Sequence, residues 1–457
     1  MNSEERYFHS VSLEADKCKG CTNCLKRCPT EAIRIRNNQA VIIPANCIDC
    51  GECIRVCPNH AKVALTDPLS VIQGYEYKIA LPAPALYTQF PQVHKSDKII
   101  ASLYKLGFDE VFEVARAAEV ISYAISKTLI NEDRPRPVIS SACPAVVRLI
   151  QQKYPSLLDN VIDIVSPMEA AARLAKEEFS KKHGVPVEKI GAFFISPCAA
   201  KLSDVRNPIG ITKSSVDGVI AIKDVYPQLQ SFVKGDFDPL EIDRASTVGV
   251  RWAVPSGEAE AVGMRHTLCV DGIDNVKHAL EQIEDSRFDR LDYVELLACS
   301  NGCLGGPLTV ENGYVAKSRL NAILRHTRDR VVQRTEIFEG AHERFRMTEE
   351  IEPNDAQQLT GTMMERILKA ARIDEIEQDL PGLDCGSCGS PTCRALARDI
   401  VGGFATEMNC IFKLNERIST LASEMVSLGA STRFSVGGNR TIADGSAAPD
   451  ASADKED

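Results

Sequence analysis

The chain lacks long hydrophobic runs and blocks of positive charge. Its 457 residues contain no uninterrupted apolar stretch of 18 residues, the length that indicates a membrane-spanning helix. Residues 1–6 lack the basic and apolar regions of a signal peptide. The net charge is −10 without any basic block, which argues against a nucleic-acid partner. We therefore predict a cytoplasmic protein with no membrane span and no nucleic-acid ligand.

Cysteine, by contrast, is abundant. Sixteen of the 17 cysteines fall into four sets of four, and such clusters in a cytoplasmic chain favour metal binding over disulfide bonds. Only Cys269 stands apart. We expect Cys269 to be a buried apolar thiol rather than a metal ligand, because free cysteine is among the most buried residue types.

Residues 1–66 contain an internal repeat. The spacing Cys-x2-Cys-x2-Cys-x3-Cys-Pro occurs at residues 18–29 and again at 47–58, with a predicted hairpin around Asn37 and Asn38 between the copies. This is the pattern of bacterial two-cluster 4Fe-4S ferredoxins, in which the fourth cysteine ligates the other cluster. A zinc module is the alternative. We predict an electron-transfer domain whose two clusters are held by Cys18, Cys21, Cys24 and Cys57, and by Cys47, Cys50, Cys53 and Cys28.

Three predicted strands further along the chain each run into a cysteine-bearing loop. Residues 137–140 precede Cys143, residues 191–195 precede Cys198, and residues 293–297 precede Cys299 and Cys303. Open α/β sheets place ligands at the carboxyl ends of their strands. Four thiolates are also what one 4Fe-4S cluster requires.

The motifs around these cysteines resemble the three active-site loops of FeFe-hydrogenases. They read Cys-Pro, Pro-Cys-x-x-Lys and Cys-x-x-x-Cys-x-Gly-Gly, in that order. The resemblance, over roughly residues 1–335, implies an H-cluster whose 4Fe-4S part is held by Cys143, Cys198, Cys299 and Cys303. It also implies that the Cys303 sulfur bridges to a diiron subcluster carrying carbon monoxide, cyanide and a bridging dithiolate. Lys201 would hydrogen-bond a cyanide, and Pro84 and Ala85 would line the diiron site.

A fourth cysteine set lies near the C-terminus. Its spacing, Cys385-x2-Cys388-x4-Cys393-x16-Cys410, resembles that of the single 4Fe-4S domain of corrinoid iron–sulfur proteins, with zinc as the alternative. FeFe-hydrogenases with a proposed sensory role end in this way. A following helix has apolar residues at one helical spacing and is a candidate face for a partner or a homodimer: Leu414, Ile418, Leu421, Met425 and Leu428.

The predicted fold is a multidomain α/β protein. We expect an α+β two-cluster ferredoxin-like domain at 1–66 and an H-cluster domain with mainly parallel sheets at 67–345. A helical linker at 346–380 is predicted to bury one face, made by Met363, Met364, Ile367 and Leu368. There follow a small helical single-cluster domain at 381–412, an amphipathic helix at 413–430 and a disordered tail at 431–457.

The chain departs from the hydrogenase pattern where protons would move. The family's first loop reads Thr-Ser-Cys-Cys-Pro, and its first cysteine passes protons; Ala142 stands in that place. The family's proton-path glutamate would fall near Ala124 or Ile125. Loss of a positioned proton relay typically costs about 100- to 10,000-fold in rate. We therefore predict slow, reversible splitting of H2 into protons and electrons by a hydrogen or redox sensor.

Several alternatives stay open from the residues alone. The chain could be an ordinary catalytic hydrogenase, or a non-enzymatic iron–sulfur protein for electron transfer or cluster assembly. Glu113, Glu119 and Cys269 are candidates for a different proton path. The expected partners are H2 and protons, a redox partner such as ferredoxin, and a signalling partner.

Replacing Ala142 by cysteine is expected to raise H2 turnover by about 100-fold or more, because it restores a proton relay. The measurement is H2 evolution by protein carrying the diiron cofactor. Ala371→Cys, in the predicted linker, is the matched control and should leave the rate unchanged. Equal rates for wild type and Ala142→Cys would contradict the missing-relay hypothesis.

Overall fold

The computed structural model describes residues 8–91, 96–235, 244–326, 330, 332, 336–355 and 358–433. Within these ranges the strands form two antiparallel pairs, a three-stranded sheet and a four-stranded sheet, and both larger sheets are parallel. The predicted α/β class with mainly parallel sheets is therefore confirmed. In the same ranges, no helix is both long and apolar enough to cross a bilayer.

The N-terminal part folds as two similar halves. Its elements are β1 (Val11–Leu13), α1 (Asn23–Lys26), β2 (Ile33–Arg36), β3 (Gln39–Ile42), α2 (Glu52–Arg55) and β4 (Lys62–Ala64). β1 pairs with β4 and β2 pairs with β3, both antiparallel. The predicted hairpin is confirmed: Asn37 and Asn38 at its tip have φ of 49° and 60°, a left-handed conformation in which asparagine is enriched.

The middle part alternates helices and strands around its two parallel sheets. Its elements are β5 (Tyr77–Pro82), α3 (Asp97–Tyr104), β6 (Glu110–Val111), α4 (Val114–Asn131), β7 (Val138–Ile139), α5 (Pro144–Lys153), α6 (Pro167–His183), β8 (Ile190–Ser196), α7 (Ala200–Arg206), β9 (Gly218–Ala221), α8 (Ile222–Val233), α9 (Thr247–Arg251), α10 (Gly257–Val262), β10 (Thr267–Asp271), α11 (Ile273–Glu284), β11 (Tyr293–Leu297), α12 (Gly313–His326) and α13 (Ala341–Arg344). The sheet orders are β6-β5-β8-β9 and β10-β11-β7.

The strands that lead to the cysteine loops are β7, β8 and β11. Every residue of β8 and β11 is buried, as expected for parallel strands covered on both faces. These three strand predictions are confirmed. In the segment 108–113, whose residues also favour a strand, only Glu110–Val111 is strand. The chain turns into α4 at Glu113, whose buried carboxylate accepts hydrogen bonds from Tyr87 and Arg244.

The C-terminal part is helical. Its elements are α14 (Met363–Asp379), α15 (Cys393–Val401) and α16 (Ile411–Arg433). Residues 434–457, which include most of the predicted tail, lie outside the described residues. In the described part of the predicted linker, the α-helix begins at Met363.

The expected buried face of the linker helix is wrong. Met363 is 73% exposed, and Met364, Ile367 and Leu368 are also exposed. Burial falls instead on Ile373 and Ile376, which pack against Leu396 of α15. Helical spacing shows that residues share a face, but it does not show which part of that face meets a neighbour.

A buried ion pair joins the C-terminal part to β2. Arg34 donates from Nε and Nη2 to the two carboxylate oxygens of Asp399, at 2.6 Å and 3.0 Å, and both side chains are about 10% exposed. Arg36 also donates to Asp399, at 2.8 Å. The backbone N–H of Ile35 donates to the Gly389 carbonyl at 2.8 Å. Side chains and backbone together therefore fix the two parts against each other.

Asp399→Ala is expected to loosen this contact, because it leaves two arginine charges partly buried without their counter-charge. Breaking a buried pair from one side costs about 3–5 kcal/mol. Amide hydrogen exchange in α15 should therefore become faster. Glu375→Ala removes the exposed partner of Arg372 and is the control, with an expected cost of about 1 kcal/mol or less. Unchanged protection of α15 in Asp399→Ala would contradict the assignment.

Candidate metal-cluster site

The three cysteine loops converge on one apolar cavity of about 120 Å³. Cys143 caps α5, and Pro144 takes the first helical position, where its missing N–H costs nothing. Cys198 lies between β8 and α7, and Cys299 and Cys303 follow β11. All four thiols line the cavity. The structure thus brings together cysteines that are up to 160 residues apart in the chain.

Low hydration and mutual repulsion make the thiols of Cys143, Cys198 and Cys303 hard to ionise on their own. Burial raises the pKa of Cys143 and raises that of Cys198 well above its usual range, and the charges of neighbouring thiolates act in the same direction. The Cys303 side chain is exposed to the open space of the cavity; the surrounding chain still limits its hydration, and this, with the charges of Cys299 and Cys143, raises its pKa to about 12. Four thiolates in such a place require a compensating cation. The donor set therefore fits an iron–sulfur cluster, whose iron keeps coordinating thiols deprotonated.

Lys201 supplies a positive charge to the cavity lining. Its Nζ donates to the backbone carbonyl of Ala142 at 3.2 Å and lies 3.6 Å from Asp204. The side chain is only 11% exposed. Because the ammonium is held beside the thiols in an apolar setting, it can bind an anionic group placed there.

Small side chains form much of the remaining wall. Pro84, Ala85 and Ala142 line the cavity together with the larger apolar residues Met168 and Trp252. The methyl group of Ala142 offers no proton donor or acceptor. The residues predicted to surround a diiron unit are therefore at one cavity, and the position expected to relay protons is chemically inert.

Two buried carboxyl groups beside the cavity were missed by the sequence reasoning. Glu258 lines the cavity, and its Oε1 accepts hydrogen bonds from Ser140 Oγ at 2.7 Å and Tyr293 OH at 2.6 Å. Burial raises the pKa of Glu258 to about 7. Glu295 accepts a hydrogen bond from the backbone N–H of Ala259 at 2.9 Å. Burial and the charge of Glu258 raise the pKa of Glu295 to about 8.

A signal for Glu258 was present in the sequence. The segment Ser256-Gly257-Glu258-Ala259-Glu260-Ala261 resembles the family's Gly-Gly-Val-Met-Glu-Ala turn, so Glu258 replaces an apolar residue there. A carboxylate at an apolar position of α10 predicts either a strained core or a functional group.

The three groups considered for a separate proton path differ in position. Cys269 is half-buried and accepts a hydrogen bond from the backbone N–H of Ser256 at 3.0 Å, so the expected apolar setting is wrong. Burial and the charge of nearby Glu295 raise the pKa of Cys269 to about 12. Glu113 and Glu119 bond the backbone N–H groups of Ala245 and Ser246 and are not among the cavity-lining residues.

The ferredoxin-type cysteines lie close to one another, and most of their mutual interactions fall within the two predicted groups, although Cys24 also acts on Cys53. The thiolate charges that act on Cys24 come from Cys21, Cys57 and Cys18, whereas those that act on Cys50 come from Cys53 and Cys28. The thiolate charges of Cys53 and Cys28 also act on Cys47. Each fourth cysteine is thus near the triplet of the other repeat.

The second ferredoxin group adjoins the cavity loops. Arg55 donates to the Gly305 carbonyl at 3.3 Å and interacts with the Cys299 thiol. Gly51 has φ of 73°, and a Cβ there would lie 2.5 Å from Pro307, so glycine is required by both conformation and space. Cys50 packs in the same apolar cluster as Cys143 and Cys198.

The C-terminal cysteines also come together. Cys388, Cys393 and Cys410 share one apolar cluster, and the charges of Cys385 and Cys410 act on the Cys388 thiol. The Cys393 N–H donates to Asp384 Oδ1 at 2.6 Å. Gly386 approaches Leu25 and Lys26 of α1. This site therefore lies against the ferredoxin-type part.

Comparison with known families decides the relationship. A family model described as iron only hydrogenase large subunit, C-terminal domain, matches residues 76–263 and 241–307, just over half of the chain. The chain belongs to the Fe-only hydrogenase family. A 4Fe-4S dicluster domain model matches residues 10–58, and a model whose description names an Fe-S cluster matches residues 380–412. This hydrogenase-family chain is thus an iron–sulfur protein with 4Fe-4S sites.

Curated relatives include both hydrogenases and assembly factors. The chain is 25% identical over 381 residues to the NADP-reducing hydrogenase subunit HndD of Solidesulfovibrio fructosivorans, covering 65% of this chain and 64% of the relative. It is 28% identical over 220 residues to the periplasmic [Fe] hydrogenase large subunit of Nitratidesulfovibrio vulgaris, covering 44% and 52%. A cytosolic Fe-S cluster assembly factor NAR1 homolog of Schizosaccharomyces japonicus is 24% identical over 271 residues, covering 55% and 50%. The chain thus spans about half to two thirds of these relatives.

Solved structures of hydrogenases are also similar to the chain. HydA(deltaEFG), from a study of stepwise H-cluster assembly, has a TM-score of 0.47 and 16% identity, covering 63% of this chain and 95% of that chain. A HydA1 variant of Chlamydomonas reinhardtii has a TM-score of 0.46 and 16% identity, covering 61% and 92%.

The raised pKa of Glu258 predicts how stability depends on pH. Between about pH 4.5, where a free glutamate titrates, and about pH 7, the folded state binds more protons than the unfolded state. The contribution of Glu258 to the free energy of unfolding is therefore fully present at low pH and is lost as the pH rises through this window. The urea midpoint of Glu258→Gln should depend less on pH than that of wild type. The midpoint of the variant minus that of wild type should therefore increase from about pH 5 to about pH 8.

Glu260→Gln is the control for this prediction. Glu260 lies on the same helix and forms an exposed pair with Arg251, so its replacement should leave the pH dependence of the urea midpoint unchanged. An advantage of Glu258→Gln that is constant across the pH range would contradict the buried-carboxyl assignment.

Proposed function

We propose that the protein is a slow FeFe-hydrogenase that reversibly converts H2 into two protons and two electrons and acts as a hydrogen or redox sensor. The observation that carries this proposal is the convergence of Cys143, Cys198, Cys299, Cys303 and Lys201 on one apolar cavity. The proposed cofactors are four 4Fe-4S clusters, two N-terminal, one at the cavity and one C-terminal, together with a diiron subcluster.

The cavity residues have distinct roles in this proposal. Cys143, Cys198, Cys299 and Cys303 would hold the 4Fe-4S part of the H-cluster, and Cys303 would also help to hold the diiron subcluster. When bound, the diiron subcluster, with its carbon monoxide, cyanide and dithiolate ligands, supplies the H2-binding and redox chemistry. Lys201, positioned by the Ala142 carbonyl, would donate a charge-assisted hydrogen bond to an anionic cyanide ligand. Pro84 and Ala85 exclude water.

Proton handling falls to Glu258 because Ala142 cannot take part. A carboxyl group with a pKa of about 7 can both hold and release a proton near neutral pH. Ser140 and Tyr293 fix its orientation at the cavity wall. The proposed proton path continues from Glu258 to Glu295 and then to the half-buried thiol of Cys269. The proposed rate is slow because no thiol stands at position 142.

Electrons pass between the cavity and the accessory clusters in this proposal. Contacts of Arg55 and Gly51 with the cavity loops support the second ferredoxin group as the neighbour of the H-cluster. The Arg34–Asp399 pair and the close approach of Gly386 to α1 support the C-terminal site as an extension of the same route. A ferredoxin-like redox partner and a signalling partner are the proposed external contacts.

A non-enzymatic iron–sulfur protein is the second candidate. The match to a NAR1 homolog supports it, and so does the inert Ala142. The ammonium of Lys201 at the cavity favours the hydrogenase proposal instead, because a plain cluster bound by four thiolates gives it no cyanide to bind.

Infrared spectroscopy and H2 turnover of protein carrying the diiron cofactor test the proposal. We expect carbonyl and cyanide bands, together with turnover about 100- to 10,000-fold below that of fast hydrogenases. Glu258→Gln should retain the bands and turn over more slowly still, whereas Glu260→Gln should match wild type. Absent bands would support the non-enzymatic candidate. Turnover as fast as that of catalytic hydrogenases would contradict the slow-sensor role.

A further inference from the structure

Helix α16 contacts little of its own chain. Of the side chains from Ile411 to Leu428, all are exposed except that of Lys413, which is intermediate. Lys413 pairs with Asp379 at the end of α14, at 2.8 Å, which helps to fix the direction in which the helix leaves the fold. Most of the stability of helices in proteins comes from packing of an amphipathic face rather than from helix propensity. A packing partner would therefore stabilise α16.

The apolar residues of α16 form a coiled-coil seam. They follow one another at alternating intervals of three and four residues, as the a and d positions of a heptad do. Each is between 40% and 73% exposed. The seam comprises Ile411, Leu414, Ile418, Leu421, Met425 and Leu428. Two further apolar residues, Phe412 and Val426, lie outside this seam.

We propose that α16 pairs with α16 of a second copy of the chain as an antiparallel coiled coil. The spacing of the seam is symmetric about its centre, so a two-fold axis between Ile418 and Leu421 brings all six positions into register. Ile418 then packs against Leu421 of the second copy, and Ile411 against Leu428. Such self-complementary contact is typical of two-fold dimers.

Charge complementarity selects the antiparallel arrangement. Arg417 and Glu424 each precede an a position, Ile418 and Met425, and so lie on the same flank of the seam. Neither is in an ion pair within the part of the chain that the structure describes. In the antiparallel register, Arg417 of each copy lies on the same flank as Glu424 of the other copy and only two residues from it along the axis, so these long side chains can form two opposite-charge pairs. In a parallel coiled coil, Arg417 would instead face Ala422. Flanking charges set orientation in coiled coils.

The oligomeric state of the 457-residue protein tests this inference, which is independent of the hydrogen chemistry. Sedimentation equilibrium at tens of micromolar protein should give twice the monomer mass. Leu421→Asp should abolish the dimer, and folding should persist because Leu421 is exposed. Ser423→Asp, on the polar face of the same helix, is the matched control and should remain dimeric. A wild-type monomer, or a dimer that survives Leu421→Asp, would overturn the proposal.

Charge reversal tests the orientation. Arg417→Glu alone and Glu424→Arg alone should each weaken the dimer by about tenfold, because each creates two like-charge contacts. The double variant should bind within a few-fold of wild type, since it restores two opposite-charge pairs. Single variants without effect, or a double variant as weak as the singles, would overturn the antiparallel arrangement.

Discussion

The structure depends on the cost of placing four cysteine thiolates in one apolar cavity. Low hydration and mutual repulsion hold the pKa values of Cys143, Cys198 and Cys303 above the usual range, so the site is stable in its ionised form only with a compensating cation. The carboxyl ends of β7, β8 and β11 deliver these thiols to one place. The cation of Lys201 and the small residues around it then determine what else can bind there.

The other cluster sites follow from this centre as a series of close contacts. Gly51 permits the ferredoxin-type part to approach Pro307 beside the cavity loops, and the Arg34–Asp399 pair holds the C-terminal part on β2. These contacts join residues hundreds of positions apart in the chain. A route for electrons from the cavity to the C-terminal site therefore needs no large movement of the parts.

The sequence was sufficient to predict features that depend on residues close together in the chain. Cysteine spacing predicted the cluster sets, the Asn37–Asn38 turn predicted a hairpin, and the apolar run at 293–297 predicted β11. It was insufficient to predict which side chains are buried when the residues that cover them are distant in the chain. Burial raises the pKa of Glu258, and this burial depends on residues far away in the chain, such as its hydrogen-bond partner Ser140, 118 positions away. Met363 is exposed because no neighbour covers that part of α14 in the described structure.

The most direct measurement of the central claim is the iron and acid-labile sulfide content of anaerobically reconstituted protein, before the diiron subcluster is added. Four 4Fe-4S sites predict about 16 irons per chain in wild type. Replacing Cys198 and Cys299 together by serine should remove about four irons and leave the remaining clusters intact. About 12 irons in wild type, unchanged by these substitutions, would show that the four cavity cysteines do not share a cluster.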